Sequence, residues 1–371
     1  MITFGGQAAG RATGASLYIY DLSTGQQVNA LSGHNRPTTA IAVSPDGTLA
    51  LTGSLTPELR LWSLLTGREV RSISQSQLAG YVGAASSLQF VNGTNLALIG
   101  RAQAGVHIWN LESNVPVLAF KGPFRGTSSA LVTFDQKAVL AISHSDVTVV
   151  AWEFTKGDLL GVFSEEWMSG YPYVSLTRNG KPRSWWESDT GKPWPEGRPT
   201  PLQWHPGFMD QAMLSPDGRI LVTYGNSITT QNAKWLHLWD LESGKLLWHH
   251  PALDLPMIST FRPAQSCAAI AFSPDSRTLA IGRRDEGLAI HELRGDQLRQ
   301  ELKTPAGSCT RIAFLPDGKQ LLTWGDKTMR LWDLRTAKMI RSFNVPAVNC
   351  LALTPDGRFV LVGSDGEFRG V

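Results

Sequence analysis

The chain contains the residue types of a hydrolytic site. His34 is followed by the hydroxyl residues Thr52 and Ser54, and Asp326 lies further along the chain. A histidine that takes a proton from a hydroxyl, held in place by a carboxylate, is the basis of acyl-transfer chemistry. Whether these residues could perform that chemistry depends on the elements that position them, which the repeats along the chain define.

The cysteines and the remaining histidines form no metal-binding motif. A zinc site needs closely spaced cysteine and histidine ligands, whereas Cys267, Cys309 and Cys350 lie far apart. Three cysteines in 371 residues also argue against a disulfide framework and are typical of a reducing compartment. The sequence therefore predicts no metal, no cofactor and a cytoplasmic location.

Charge and hydropathy argue against two further classes of partner. The formal net charge is only +3, and acidic and basic residues are mixed along the whole chain. A nucleic-acid-binding protein usually concentrates its positive charge on one face. No apolar run approaches the length that spans a bilayer. We therefore expect neither a membrane segment nor a nucleic-acid partner.

A tight turn recurs after short apolar runs. Proline fixes φ at the start of such a turn, aspartate bonds to its own backbone and glycine accepts a positive φ, so each copy predicts a hairpin between two strands. The copies are Ser44-Pro45-Asp46-Gly47, Ser215-Pro216-Asp217-Gly218, Ser273-Pro274-Asp275-Ser276, Leu315-Pro316-Asp317-Gly318 and Thr354-Pro355-Asp356-Gly357.

A second mark alternates with these turns, namely an aromatic residue followed by polar and apolar residues and then by a turn. Its members are 34 to 53 residues apart, which is typical of repeats that each contain four short strands. The residues at this aromatic position are Tyr20, Trp62, Trp109, Trp152, Trp186, Trp239, His291 and Trp332.

These two marks resemble those of the WD-repeat β-propeller family, especially its Ser-Pro-Asp-Gly-rich, bacterial-looking members. The Trp239-Asp240 and Trp332-Asp333 pairs and the Gly33-His34 pair are further marks of that family. The resemblance covers nearly the whole chain. It implies an all-β propeller of four-stranded antiparallel blades.

The resemblance also implies a structural role for the hydrolase-like residues. Blades of this family share a buried network of histidine, hydroxyl, aspartate and tryptophan. The first blade is similar, with His34, Thr52 or Ser54, and Trp62, but Thr56 stands where aspartate is expected. A later blade has Thr323, Asp326 and Trp332 without the histidine. We therefore predict no catalytic residue and no enzyme.

Eight blades are predicted, with seven as the alternative if residues 164–207 are an insertion. The last blade is composite, because a ring closed by both termini leaves no open sheet edge. The chain is thus expected to be one domain, residues 1–371. The expected blades are residues 38–74, 84–120, 128–163, 166–204 (degenerate), 208–250, 266–302, 308–343, and 348–371 combined with 1–30.

Residues 167–204 hold five of the thirteen tryptophans and six prolines. One interpretation is a degenerate blade whose aromatic residues fill gaps, and the other is a binding surface, since tryptophan and arginine dominate interface energetics. The predicted partner-binding residues in and near this segment are Trp185, Trp194, Trp204, Arg183, Trp235, Arg283 and Arg284. Further candidates for an exposed face are Arg36, Arg101, Arg125 and Lys327, with the acidic neighbours Asp285, Glu286 and Asp326.

Three functions remain open at this stage. The first is a monomeric, non-catalytic scaffold that presents a rigid propeller face to protein or peptide partners. The second is a propeller enzyme similar to quinone-dependent dehydrogenases, which the segments from Trp239 to Trp248 and from Trp186 to Trp194 distantly resemble. The third is a sensor or docking module of a larger protein.

Overall fold

A computed structural model gives the architecture. It describes residues 15–73, 83–101, 105–120, 127, 129–133, 136–143, 148–164, 175–178, 181–184, 209–226, 234–240, 245–252, 269–283, 287–293, 297–303, 311–325, 327–346 and 348–364. All regular elements in these ranges are β-strands.

The strands are numbered along the chain. The first ten are β1 (Ala15–Asp21), β2 (Gln27–His34), β3 (Thr38–Val43), β4 (Leu49–Ser54), β5 (Leu59–Ser63), β6 (Arg68–Ile73), β7 (Ala85–Phe90), β8 (Leu96–Arg101), β9 (Gly105–Asn110) and β10 (Val115–Phe120). The next ten are β11 (Ser129–Val132), β12 (Ala138–Ser143), β13 (Thr148–Glu153), β14 (Leu159–Ser164), β15 (Ser175–Arg178), β16 (Lys181–Ser184), β17 (Met209–Leu214), β18 (Ile220–Asn226), β19 (Lys234–Asp240) and β20 (Lys245–Ala252). The last ten are β21 (Ile270–Phe272), β22 (Thr278–Arg283), β23 (Gly287–Glu292), β24 (Leu298–Leu302), β25 (Arg311–Phe314), β26 (Gln320–Gly325), β27 (Thr328–Asp333), β28 (Lys338–Asn344), β29 (Val348–Leu353) and β30 (Phe359–Ser364).

The described strands form seven antiparallel sheets, which are the blades of a β-propeller. Blades 1, 2 and 3 contain β3–β6, β7–β10 and β11–β14, and blades 4, 5 and 6 contain β17–β20, β21–β24 and β25–β28. Blade 7 contains β29, β30, β1 and β2 in that spatial order. In every blade the first strand named is the inner one and the fourth is the outer one.

The Pro-Asp turns connect the first and second strands of the blades. In blade 1 the backbone N–H of Gly47 donates to the carbonyl of Ser44 at 2.8 Å, and Gly47 has a φ of 71°. The Ser44 hydroxyl donates to Oδ1 of Asp46 at 2.5 Å, and Oδ1 also accepts the N–H of Thr48. Such a turn needs a fixed φ, a side chain that bonds to the backbone and one left-handed residue, which is why proline, aspartate and glycine recur there.

The two ends of the chain close the ring. Residues from Leu17 to Asp21 on β1 pair with residues from Phe359 to Gly363 on β30, so the N-terminal strands complete the last blade. This antiparallel pairing confirms the composite blade. It also supplies both central strands of blade 7 with two neighbours each.

The prediction of eight blades is wrong, because the described strands form seven. The segment 166–204 contributes no four-stranded sheet among the described residues; instead, β15 and β16 form a hairpin at the outer edge of β14, which pairs with β15 only through Val162 and Ser175. The segment has an aromatic residue in register but no Pro-Asp turn, and it carries six prolines. Proline cannot donate to a strand ladder, so this composition opposes a central strand.

A separate hydrophobic cluster fills each of the seven junctions between neighbouring blades. At six junctions the aromatic residue of one blade packs against the preceding blade, and each such burial stabilises the junction by about 2–3 kcal/mol. These residues are Trp62, Trp109, Trp152, Trp239, Trp332 and Tyr20. The clusters replace a single central core.

A glycine near the end of the second strand lets neighbouring blades approach each other. A Cβ atom at Gly53 would lie 2.4 Å from the Cβ atom of Ala85 on the next blade, and one at Gly363 would lie 2.9 Å from that of Thr38. Four blades have a glycine at this position, namely Gly53, Gly100, Gly282 and Gly363, whereas Tyr224 and Trp324 occupy it in blades 4 and 6. This recurrent glycine was not recognised from the sequence, although its spacing follows the repeat.

Each outer strand bulges opposite the aromatic position. The pairing between third and fourth strands shifts there in all seven blades. One residue of the outer strand is therefore unpaired. In four blades it is an exposed aliphatic residue, since Val70, Val117, Leu247 and Ile340 are 43–55% exposed, whereas Val28 of blade 7 is partly buried against a hydrophobic cluster. Such bulges bend the edge of a sheet.

We predict that Gly53→Ala lowers the free energy of unfolding by about 1–3 kcal/mol, because the added methyl overlaps Ala85. Urea denaturation measures the loss. Ala85→Gly in the same chain removes the opposing methyl and should recover part of it, so the two substitutions are expected to couple. Strictly additive losses would contradict this contact.

Candidate functional site

The loops of the propeller lie on two faces. The face opposite the Pro-Asp turns, termed the top face, carries the loops from second to third strands and from each outer strand to the next blade. Loops on a rigid scaffold commonly carry binding residues. Among its described residues, Arg36, Leu55 and Lys327 are exposed.

The predicted partner-binding residues are placed only in part. Trp185, Trp194, Trp204 and Arg284 lie outside the described residues, as do Trp186, Arg125, Asp285, Glu286 and Asp326 among the other predicted positions. For Arg183, Trp235 and Arg283 the structure describes the backbone only. Residue 235 lies opposite Gly225 and residue 283 opposite Gly287, so both are near top-face loops, whereas residue 183 is on the added hairpin beside blade 3.

The described residues at the predicted repeat positions are all buried. These are Tyr20, Trp62, Trp109, Trp152, Trp239, His291, Trp332 and His34. They pack between blades or bond within them, and none is displayed on a face.

His34, Thr52 and Trp62 form a closed hydrogen-bond cluster in blade 1. Nε2 of His34 and Nε1 of Trp62 both lie 2.8 Å from the Thr52 hydroxyl oxygen, and that hydroxyl donates to the carbonyl of Arg60 at 3.3 Å. One donated and two accepted bonds use the full capacity of the hydroxyl. With the hydroxyl hydrogen directed to the Arg60 carbonyl, Nε2 of His34 is the donor to Thr52 and does not act as a base toward it.

Glu58 is the described carboxylate nearest to His34. Its Oε2 atom is 4.0 Å from Nδ1 of His34, which is too far for a hydrogen bond, and its Oε1 accepts from Arg60 at 2.7 Å. Thr56, expected at this place from the sequence, instead bonds to the Ser54 hydroxyl at 2.7 Å. The network of blade 1 thus lacks the bond to Nδ1 of His34.

Burial lowers the pKa of His34 to about 4, and the nearby Arg60 guanidinium lowers it further in the same direction. Burial likewise lowers the pKa of His107 to about 4, with a contribution from Arg101. Both imidazoles are therefore neutral at pH 7.

Among the described residues of blade 6, one bond of this network is present. Nε1 of Trp332 donates to the Thr323 hydroxyl at 2.9 Å. In blade 2 the indole of Trp109 bonds to Oδ1 of Asn114 instead, at 3.2 Å. The network is therefore fragmentary, and hydrophobic contact carries most of the packing between blades.

Arg101 joins two loops of the top face from beneath. Its side chain is only 1% exposed, and Nη1 donates to the carbonyls of Pro57 at 3.1 Å and Gly83 at 3.0 Å. Burial lowers the pKa of Arg101 to about 10, so it stays charged at pH 7. The expectation of an exposed arginine is therefore corrected: Arg101 holds the face together and is not displayed on it.

Two further results concern only the described residues. There, histidine, cysteine and carboxylate side chains form no group that could hold a metal ion. No helix of sufficient length and apolarity to cross a membrane occurs in that part of the chain.

Three segments match the sequence profile described as WD domain, G-beta repeat: residues 25–63, 296–333 and 337–369. The first two begin on or just before the outer strand of one blade and end with the third strand of the next. Each of these repeats therefore spans two blades, which links neighbours covalently as well as by packing. Fold and repeats together define a seven-bladed β-propeller that contains WD repeats.

The chain is similar to known WD-repeat proteins. It is 29% identical to Protein groucho of Drosophila melanogaster over 197 residues, which is 53% of this chain and 25% of groucho. It is 27% identical to NACHT domain- and WD repeat-containing protein 1 of Mus musculus over 144 residues, which is 39% of this chain and 9% of that protein. The chain thus spans a quarter or less of these relatives.

We predict that Thr52→Val destabilises the protein by about 2–3 kcal/mol, because it leaves His34 and Trp62 without their buried partner. The matched variant Thr323→Val removes a single indole bond, so its loss should be smaller. Denaturant unfolding of both variants provides the comparison, and equal losses would contradict the cluster.

Stability should also fall as the pH drops from about 6.5 toward 4. A histidine with pKa near 6.5 when unfolded and about 4 when folded binds protons preferentially in the unfolded chain. His34 and His107 should each remove about 2 kcal/mol of stability between pH 7 and pH 5. The variant His34→Gln should be less stable at pH 7 but lose about 2 kcal/mol less over this interval, as followed by unfolding at both pH values.

Proposed function

We propose that the chain is a non-catalytic docking platform whose top face binds protein or peptide partners. The observation that carries this proposal is the rigid ring of WD repeats, together with relatives that are WD-repeat proteins. The Thr52 hydroxyl and the His34 imidazole, which could have suggested catalysis, are bonded to each other in blade 1, and the hydroxyl also accepts from Trp62. The platform is expected to be a monomeric domain in the cytoplasm.

Both the aliphatic and the charged groups of the top face support this proposal. Leu55 is 47% exposed in the loop between β4 and β5, and Arg36 is exposed in the neighbouring loop between β2 and β3. Arg101 fixes the adjoining loop through Pro57, so the surface is held in one shape. Preorganised loops lose little conformational entropy on binding.

The tryptophan-rich segment remains part of this proposal. Trp185, Trp194 and Trp204 are aromatic anchors of the kind that dominate interfaces. Trp235, Arg283 and Arg284 lie at or next to the second-to-third-strand loops of blades 4 and 5 in the sequence, and we propose them as contacts on the same face.

Leu55→Glu should remove bound partners, because it places a charge on an exposed aliphatic position of a top-face loop. Leu65 provides a matched control: it is also 47% exposed in blade 1, but it lies in the turn between β5 and β6 on the opposite face. The measurement is affinity purification of each tagged variant from the native host, with quantitative mass spectrometry. Partners retained by Leu65→Glu and lost by Leu55→Glu would support the proposal; an identical set with both variants would overturn it.

A further inference from the structure

A groove of about 610 Å³ lies between blades 4 and 5, at the end of the ring that carries the Pro-Asp turns. It is therefore on the opposite side from the top face. Both blades contribute to its walls, and the lining residues are Asp217, Arg219, Ile220, Asp240, Leu247, Asp275, Ser276, Arg277, Glu292 and Leu293.

The groove coincides with an exception in the repeat. Blade 5 has His291 at the aromatic position, where six other blades have tryptophan or tyrosine. Trp248 of blade 4 partly replaces the missing ring. The centroids of the Trp248 and His291 rings are 6.0 Å apart, and Nε1 of Trp248 donates to the carbonyl of Leu293 at 3.3 Å. The chain neighbours of these two rings, Leu247 and Glu292, line the groove, so the exception lies directly beside it.

The floor of the groove is apolar. Ile220 and Leu293 are buried beneath it, and Leu247 is 43% exposed. Leu247 is the bulged residue of β20, since its neighbours pair with Leu238 and Trp239 and it pairs with neither. The bulge thus turns an aliphatic side chain out of the blade and into the groove.

The walls carry an excess of negative charge. Four lining carboxylates and two guanidinium groups give a formal charge of two negative units, and Arg299, whose Nη1 lies 3.5 Å from Oε1 of Glu292, reduces the local charge to one negative unit, whereas the whole chain is positive by three. The pKa of Asp275 is lowered, chiefly by its bond from the Ser273 hydroxyl, so it is ionised at neutral pH. The groove therefore attracts a cationic ligand despite the opposite charge of the protein.

The two walls are fixed relative to each other. The N–H of Asp217 donates to the Ser276 hydroxyl across the junction at 3.0 Å. Within their turns, Asp217 and Asp275 each accept a serine hydroxyl and a backbone N–H through Oδ1. The other carboxylate oxygen, Oδ2, takes no part in these bonds. A carboxylate held in this way is preorganised to accept from a cation.

We propose that this groove binds an extended segment of a partner protein in which basic and aliphatic side chains alternate. An aliphatic side chain of the partner covers Leu247 and the floor, and lysine or arginine side chains lie against the carboxylates. This inference rests on the proposed docking function and adds a second binding surface to it, on the opposite face.

A direct binding measurement tests the groove. The probe is a short fluorescein-labelled peptide in which lysine and leucine alternate, and a peptide with glutamate in place of lysine is the comparison. Fluorescence anisotropy with the full chain should show binding of the lysine peptide only, and added salt should weaken it.

Leu247→Lys should weaken the lysine peptide about tenfold or more, because it removes an apolar contact and adds a like charge. Ile340→Lys is the matched control, since Ile340 is the bulged residue of blade 6 and is 46% exposed. Both changes are at exposed positions, so thermal unfolding should be unaltered.

Unchanged binding by Leu247→Lys, equal weakening by Ile340→Lys, or equal binding of the glutamate peptide would each overturn the inference. These outcomes leave the partners that depend on Leu55 untouched, so failure of the groove is distinguishable from failure of the top face. Conversely, peptide binding that depends on Leu247 would stand even if no partner depends on Leu55.

Discussion

Five residue pairs join the two ends of the chain, because β1 lies beside β30 in blade 7. Every other blade is formed from consecutive strands, so its contacts are local. Among the strand pairings of the described residues, this one alone spans more than three hundred residues, and the entropy of closing so long a loop must be offset before the ring is complete. Without it, blade 7 would separate into two hairpins, and isolated hairpins are marginally stable in water.

In a closed ring, the contacts between blades contribute more to stability than the contacts within one blade. Each blade is too thin to shield its own faces, and all seven hydrophobic clusters contain residues of two neighbours. The glycine near the end of the second strand and the buried Arg101 act at these same junctions. A change at one junction is therefore transmitted to both adjacent blades.

The sequence was informative where a residue type has one local physical role. The Pro-Asp turns and the aromatic position predicted the blade class and the composite last blade, since both marks report on short-range geometry. The number of blades was wrong because Trp186 was counted as a full repeat, although the segment around it carries six prolines, which oppose central strands. The burial of Arg101 and the replacement of an indole by Trp248 could not be predicted, because both depend on contacts between blades. The recurrent glycine could have been found, since Gly53 and Gly100 occupy the same place in successive repeats.

The bulged outer strands have a consequence for how many copies of this protein behave together. A straight exposed strand is a template for edge-to-edge pairing, which leads to stacked sheets and fibrils. Here the hydrogen-bond row of every outer strand is interrupted near its middle, even though valine, leucine or isoleucine is often exposed at that point. The circumference of the disc can therefore offer aliphatic side chains to a partner without offering a continuous backbone edge to another disc, which favours solubility at high concentration.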